Sequence, residues 1–263
     1  KTTATNSGST IKIDAGDATS SAIKLDANTQ ESTATGSTAA NGIALSGTTV
    51  GAKSIIVAQQ ENDADSTVTA ATTASALLTA DSVITGGSAA VTNNKIQSRA
   101  TGATTTNTMT VDATGVTLAA PDTDVAATLT SGTGTGSVEA AYATLNDQLV
   151  SGSVSATTTG ETSGSAIKLN VDTDVDTGST LTNDANTVMA RAQGAVTANA
   201  TTIAVNGTFS QGTTVAGATA NAATVANVQQ VAADTDVTAT VDTTAADTIT
   251  TTIGDDVLAS SVS

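Results

Sequence analysis

The side chains with the clearest potential for chemistry in this chain are pairs of aspartates that recur in one short motif. Asp-Thr-Asp-Val occurs three times, starting at Asp122, Asp172 and Asp234. Residues two apart on an extended chain point to the same side, so each motif would place two carboxylates next to each other. Water or a hard cation such as Ca²⁺ would relieve the repulsion between them. The candidate calcium ligands are Asp122, Asp124, Asp172, Asp174, Asp234 and Asp236.

A solvated acidic surface is the interpretation that we favour over a calcium site for these aspartates. Neither the EF-hand loop pattern nor the glycine- and aspartate-rich calcium-binding β-repeat is present in the sequence. No cofactor other than this Ca²⁺ is expected.

The composition lacks the side chains on which most enzyme mechanisms depend. The chain has no His and no Cys, so the usual general base, the imidazole ligand and the thiolate nucleophile are missing. Ser and Thr are abundant, but no His can activate them, and we therefore expect no enzymatic activity. The formal net charge of −16 opposes binding to nucleic acid. No apolar run is long enough to span a bilayer, so membrane insertion is not expected either.

Elements that position these aspartates must be built without bulky side chains. Aromatic residues make up 1% of the sequence, and the hydrophobic 38% is mostly Ala and Val. Thr, Val and Ile favour strands, and short alternating segments such as those at Ile11 and Ile23 end in turn-forming residues. The sequence therefore predicts an all-β protein with a core of small, closely packed side chains.

A longer repeat organises the chain. NKIQSRATGATTTN, residues 94–107, returns as NTVMARAQGAVTAN, residues 186–199, and more faintly as NTQESTATGSTAAN, residues 28–41. All three copies begin and end with Asn and carry Gly at the same offset, which indicates a shared backbone turn. Arg99 recurs as Arg191 but is replaced by Thr33, so the Arg is not essential to the frame. The frame residues are Asn28, Gly36, Asn94, Gly102, Asn186 and Gly194.

Alternation along an extended repeat puts Asn94 and small residues on an inner face and Arg99 on the outer face. Inward Asn side chains suit a parallel β-solenoid (β-helix), where stacked strands align them into a hydrogen-bonded ladder and the Gly turns a corner. We predict this fold, with tandem β-sandwich domains as the alternative. The unequal distances between the copies along the chain keep the alternative open.

The most linker-like stretch is SGTGTGS, residues 131–137. It would separate an amino-terminal β-repeat region, residues 1–130, from a carboxy-terminal one, residues 138–263, unless both belong to one continuous solenoid. Residues 138–150 fit a helix with Leu145 and Leu149 on one face. They fit a hairpin that turns at Asn146 and Asp147 equally well.

The two stronger copies, together with GSAIKLN and VANVQQ, resemble the Asn-, Ala-, Thr- and Gly-rich repeats of secreted bacterial surface proteins. These include β-helical adhesins and the holdfast-anchor proteins of stalked alphaproteobacteria. The resemblance implies an extracellular or cell-surface location and a role in attachment or fibre formation, and no site residues carry over. A start at Lys1 without Met fits removal of a signal peptide, as it would fit any shortened chain.

Self-assembly is therefore the leading hypothesis for function. Exposed strand edges at the two ends of a solenoid could pair with the next subunit and build a filament, a surface layer or a cell-surface anchor. The expected partners are further copies of the chain, or else other cell-surface proteins or polysaccharide. The alternative function is a Ca²⁺-dependent surface adhesin that uses the Asp-Thr-Asp motifs.

Overall fold

Every helix or strand in the described part of the chain is a β-strand. The computed structural model describes residues 1–16, 18–46, 54–113, 125–131, 134–160, 166–205, 221–242, 249–258 and 260–263. No helix occurs in these residues, and thus none that could cross a membrane. The prediction of an all-β protein is confirmed.

The strands, in chain order, are β1 (Thr2–Ala15), β2 (Ala18–Thr19), β3 (Ala22–Asp26), β4 (Thr29–Ser46), β5 (Ser54–Asn62), β6 (Thr67–Ala80), β7 (Ile84–Thr85), β8 (Ser88–Thr92), β9 (Lys95–Ala113), β10 (Val125–Ser131), β11 (Gly134–Val150), β12 (Ser153–Thr159), β13 (Ile167–Val171), β14 (Thr180–Asp184), β15 (Thr187–Val205), β16 (Asn221–Val231), β17 (Val237–Asp242), β18 (Ile249–Ile253) and β19 (Ser261–Val262).

The chain passes through the same series of sheets several times. One sheet holds β1, β6, β12, β13, β17 and β18, and the next holds β3, β8, β14 and β19. A third holds β4, β9 and β15, a fourth holds β5, β10, β11 and β16, and β2 pairs with β7. We call β1–β5, β6–β11, β12–β16 and β17–β19 the first to fourth circuits. Pairing between circuits is parallel throughout the described strands.

The unequal distances between the repeats have a local cause. Aligned residues of β4 and β9 lie 66 apart, whereas those of β9 and β15 lie 92 apart. Within the second circuit, β10 and the first residues of β11 form an antiparallel hairpin that the first circuit lacks among its described strands. Because this hairpin lies between β9 and the part of β11 that pairs with β5, it lengthens the circuit without shifting the register of the repeats.

Small apolar side chains stack between the circuits to form the core. Ile13, Leu78 and Leu169 occupy matching positions on β1, β6 and β13, and the last two are fully buried. A second cluster surrounds Val68 and Val154. Alternate residues of β6 are buried along almost its whole length, as expected for a strand with one face toward a core.

Residues 138–150 are neither helical nor a hairpin turning at Asn146 and Asp147, because β11 runs through both residues as one strand. All residues from 144 to 150 are buried. A strand buried on both faces loses the period of two that identifies a strand from sequence, which explains the error.

The segment predicted as a linker contributes to the hairpin of β10 and β11. Ser131 ends β10 and pairs with Gly134, which begins β11, while residues 132 and 133 lie outside the described residues. Strands from residues 1–130 and 138–263 share sheets, as β5 with β11 and β6 with β12.

Candidate functional site

The three copies of the repeat form one parallel sheet with β9 in the middle. β4 pairs with one edge of β9 and β15 pairs with the other, so the frame residues of the three copies lie in columns across the sheet. These columns are the candidate functional site, because they end at β4 and β15, whose outer edges pair with no further strand among those described.

The first Asn of each copy forms a hydrogen-bonded column. Asn28 donates from Nδ2 to Oδ1 of Asn94 at 2.9 Å, and Asn94 donates in turn to Oδ1 of Asn186 at 3.0 Å. The middle Asn94 is fully buried, whereas Asn28 and Asn186 are half-buried. Nδ2 of Asn94 also donates to the carbonyls of Leu25 and Thr92, so its amide is fully engaged.

The last Asn of each copy forms a second column. Asn41 donates to Oδ1 of Asn107 at 2.8 Å, and Asn107 donates to Oδ1 of Asn199 at 2.8 Å. Every donation runs from the first circuit toward the third. Within the described residues, Nδ2 of Asn199 donates to no further side chain, so the column ends in an open donor.

The backbone before each first Asn takes a left-handed conformation. Ala27, Asn93 and Ala185 have φ of 55°, 56° and 54°. This bend follows β3, β8 and β14 and turns the chain so that the next side chain points inward. Asn tolerates this conformation better than Ala does. Ala carries no turn signal, so sequence reasoning missed this feature in the outer copies.

The Gly of each copy marks a change of side within one strand. In β9, Ile96, Ser98 and Ala100 are buried before Gly102, whereas alternate residues from Ala103 onward are buried after it. A Cβ on Gly102 would lie under 3.0 Å from the carbonyl oxygen of Gly194, and one on Gly36 would lie as close to that of Gly102. The close stacking of the strands is therefore what requires Gly at these two positions. A left-handed backbone is not the reason, because neither residue has a positive φ.

Buried polar side chains extend the stacking into the interior. Nε2 of Gln148 donates to Oε1 of Gln60 at 2.9 Å, and Nε2 of Gln229 donates to Oε1 of Gln148 at 2.7 Å. A hydroxyl column joins Ser32, Ser98 and Thr158. The glutamines were not predicted from the sequence, because they lie outside the repeat at distant and unequal positions in the chain.

The charged side chains of the repeat lie on its outer face. Arg99 is half-buried and donates to Gln97 at 3.3 Å, while Arg191 is exposed. Hydrogen bonds from Thr33 and Gln97 lower the pKa of Glu31, and the charge of Arg99 lowers it further. No ion pair joins either Arg to an Asp in the described residues.

Lys12 and Lys24 pair with Asp14 and Asp26 at 2.8 and 2.9 Å. Hydrogen bonds from Thr92, then Lys24 and Asn93, lower the pKa of Asp26 to about 2.

Four of the six predicted calcium ligands lie among the described residues, in two different loops. Asp172 and Asp174 follow β13, and Oδ1 of Asp174 accepts a hydrogen bond from the backbone of Asp256 at 2.9 Å. Asp234 and Asp236 lie between β16 and β17. Asp122 and Asp124 lie outside the described residues. Among the residues that the structure describes, no three acidic side chains come together in a group that could hold a metal ion.

A cavity of about 220 Å³ opens beside the first circuit. Its wall includes Ser37, Asn62 and Val68. Asn62 is 7% exposed, and within the described part of the chain neither atom of its amide has a hydrogen-bond partner. Its stacked counterparts on β11 and β16 are Val150 and Val231, so the first circuit carries a polar residue in an otherwise apolar column.

The two ends of the stack differ in the side chains that they expose. The large apolar side chains that are more than one-third exposed all lie between residues 225 and 262 among the described residues. They are Val225, Val231, Val237, Ile249, Val257, Leu258 and Val262. The third and fourth circuits therefore end in an uncovered apolar surface.

Comparison with known proteins identifies no relative. No protein-family model matches the chain, and neither a curated protein nor a solved structure is significantly similar to it. Inference about function therefore starts from the geometry of the chain itself.

Proposed function

We propose that this protein is a structural subunit of an extracellular filament, surface layer or cell-surface anchor, and that it assembles with further copies of itself through strand edges. The observation that carries the proposal is the register-matched stack of the three repeats. Its columns of Asn and Gly end on β4 and β15, which each pair along one edge only among the described strands.

A parallel β-solenoid is the architecture that we propose for this subunit. Its support is the order of pairing, because each circuit adds a strand to the same sheets as the circuit before it. Columns of like residues, such as Asn41, Asn107 and Asn199, are the side-chain arrangement that such stacking favours.

Open edges and exposed apolar side chains are liabilities that monomeric β-proteins generally avoid. The third and fourth circuits combine both features, since β15 and β16 each have an edge that pairs with no described strand, beside the exposed valines. Pairing with another subunit would satisfy the backbone donors and acceptors and remove the apolar surface from water. The secreted, cell-surface location rests on the resemblance to bacterial surface repeats.

Electron microscopy and sedimentation at rising protein concentration test the proposal. We expect ordered polymers or sheets above a threshold concentration. A charge placed on the inward side of the open edge should block them, because a stacked subunit would bury it. Thr201→Lys supplies that charge, since Thr201 lies on the inner side of β15 and its hydroxyl is 3.5 Å from that of Thr144.

Thr202→Lys is the matched control, because the same charge on the neighbouring exposed position stays in water. We expect this variant to assemble as the wild type does. A wild-type chain that stays monomeric at every concentration would overturn the proposal, and so would assembly that both variants block equally.

A further inference from the structure

The geometry points to a strand-acceptor site along the edge of β15 that pairs with no described strand, and this site takes one extended segment from a second polypeptide chain. The segment would carry the Asn and Gly spacing of the repeat and add a fourth parallel strand to β4, β9 and β15. This inference rests on the proposed assembly through strand edges and names the edge and the kind of segment involved.

The first observation is that Gly194 leaves room for the backbone carbonyl of a further strand stacked on β15. At Gly36 and Gly102, a Cβ would collide with the carbonyl oxygen of the glycine in the next copy. At Gly194, the three nearest atoms to a Cβ would be valine methyl groups at 3.2 to 3.8 Å, from Val231, Val237 and Val150. The space above Gly194 that the other two glycines keep for a carbonyl is therefore available to an incoming backbone.

The second observation is the open donor at Asn199. In this column, Asn41 donates from Nδ2 to Oδ1 of Asn107, and Asn107 donates in the same way to Asn199, at 2.8 Å in both cases. An Asn at the matching position of a fourth strand would present Oδ1 to Nδ2 of Asn199 and continue the column in the same direction. The donor polarity therefore selects a segment with Asn at this place.

Charge on the edge favours the same segment. Glu31 on β4 lies two residues before Thr33, the residue that pairs with Arg99 of β9. Hydrogen bonds from Thr33 and Gln97 lower the pKa of Glu31 most, and the positive charge of Arg99 lowers it further. Arg191 occupies the position of Arg99 on β15 and is exposed. A segment with the sequence of β4 would bring its Glu close to Arg191 in the same way.

The shape of the edge limits the occupant to one strand. β19 already pairs with β14, which directly precedes β15 in the chain. A rigid second copy placed with its β4 on β15 would bring its own β3 onto β14, where β19 already lies, because β3, β8 and β14 stack in the same order as β4, β9 and β15. A donated single strand avoids this collision, as in other complexes that form by strand addition.

A fluorescent synthetic peptide with the sequence of residues 28–46 tests the site. Its anisotropy is measured against the protein at concentrations where sedimentation shows monomers. We expect saturable binding, which Gly194→Ala should weaken about tenfold or more because its methyl group occupies the place of the incoming carbonyl. Gly42→Ala is the control, since the nearest atom to its added methyl group, a carbonyl oxygen, is 3.9 Å away.

Disulfide capture measures the register of the bound peptide independently. The chain has no Cys, so the only thiols are those introduced. A peptide with Cys at the position of Ala40 should cross-link to Ala198→Cys, because both positions align with Thr106 of β9. It should not cross-link to Thr202→Cys, four positions along β15.

Absence of saturable binding would overturn the inference, as would preferential capture at Thr202→Cys. Equal binding by wild type and a folded Gly194→Ala variant would do the same. If the protein binds the peptide but never polymerises, the acceptor site is supported and the proposed self-assembly is overturned. Polymers that form without peptide binding would do the reverse.

Discussion

β9 and β15 carry the same repeat in two different environments. β9 has a strand on each edge, and its frame residues Asn94 and Asn107 are fully buried with both sides of their amides engaged. β15 has β9 on one edge only among the described strands, and its Asn186 and Asn199 are half-buried. The sequence pattern is therefore nearly the same in both strands, whereas the burial and hydrogen bonding of each residue depend on its place in the stack.

This difference separates the residues that the packing of the fold requires from those that it does not require. At Gly102 the close carbonyl of the next copy leaves no room for a side chain, so the fold itself demands Gly. At Gly194 the demand is weaker, since the closest atom to a Cβ would be a methyl group of Val231 at 3.2 Å, which can shift as a backbone carbonyl cannot. Features of β15 that its own packing does not need are the ones to attribute to assembly.

Gly102→Ala should produce the largest difference between the two strands. Its methyl group would overlap the Gly194 carbonyl and crowd Val154, whose Cγ2 would be 3.1 Å away. We expect the free energy of unfolding to fall by about 1–3 kcal/mol or more, as in other overpacked sites. Gly194→Ala should lower it by less, about 1 kcal/mol at most, because its methyl group would meet the Val231 side chain at 3.2 Å and no backbone carbonyl.

Urea denaturation of both variants, followed by circular dichroism, measures this difference. Gly42→Ala serves as the control for the general effect of replacing Gly in a strand. Equal losses at Gly102 and Gly194 would mean that the carbonyl stacking does not distinguish the middle strand from the outer one.

Asn107→Ala and Asn199→Ala extend the comparison to the polar column. Removing Asn107 strands the Asn41 donor and the Asn199 acceptor in partly buried places, which should cost about 1–3 kcal/mol. Removing Asn199 leaves the Nδ2 donor of the buried Asn107 without its partner, which is one stranded group instead of two, and we expect a smaller loss of about 1 kcal/mol. The same denaturation experiment measures both, and a larger loss at Asn199 would reject the column as the source of the difference.

The repeat sheet was the part of the fold most open to prediction from sequence. Equal offsets of Asn and Gly in three segments predicted strands that share one backbone course, and these segments do pair in register. The reason is physical, because stacked strands place like residues side by side and the same packing requirement then acts on each copy. A column such as Asn41, Asn107 and Asn199 therefore leaves a trace in the sequence.

Other parts left no such trace. Gln60, Gln148 and Gln229 form hydrogen bonds because three circuits stack on one another. Their local sequences did not predict this contact. β11 lost its alternation because both of its faces are buried from residue 144 onward. The Asp-Thr-Asp motifs were interpreted as strand faces, whereas Asp174 and Asp234 lie in loops, and the carboxylate of Asp174 accepts a backbone hydrogen bond there.

Ala185→Asn should produce the smallest effect and should stabilise the outer copy. Ala185 has φ of 54°, a conformation that costs an Ala about 1–2 kcal/mol relative to the usual regions. The middle copy has Asn93 at the same bend with φ of 56°, so Asn is compatible with the geometry. We expect the free energy of unfolding to rise by roughly 0.5–1 kcal/mol, since Asn visits this region with less strain.

Asn93→Ala is the reciprocal change, and it should lower the free energy of unfolding by a similar or larger amount. The larger loss is expected because Nδ2 of Asn93 also donates to Asp26 at 3.1 Å. Urea midpoints at constant denaturant slope measure both changes. Destabilisation by Ala185→Asn would mean that the bends of the outer and middle copies differ in more than one side chain. The three bends would then not be structurally equivalent.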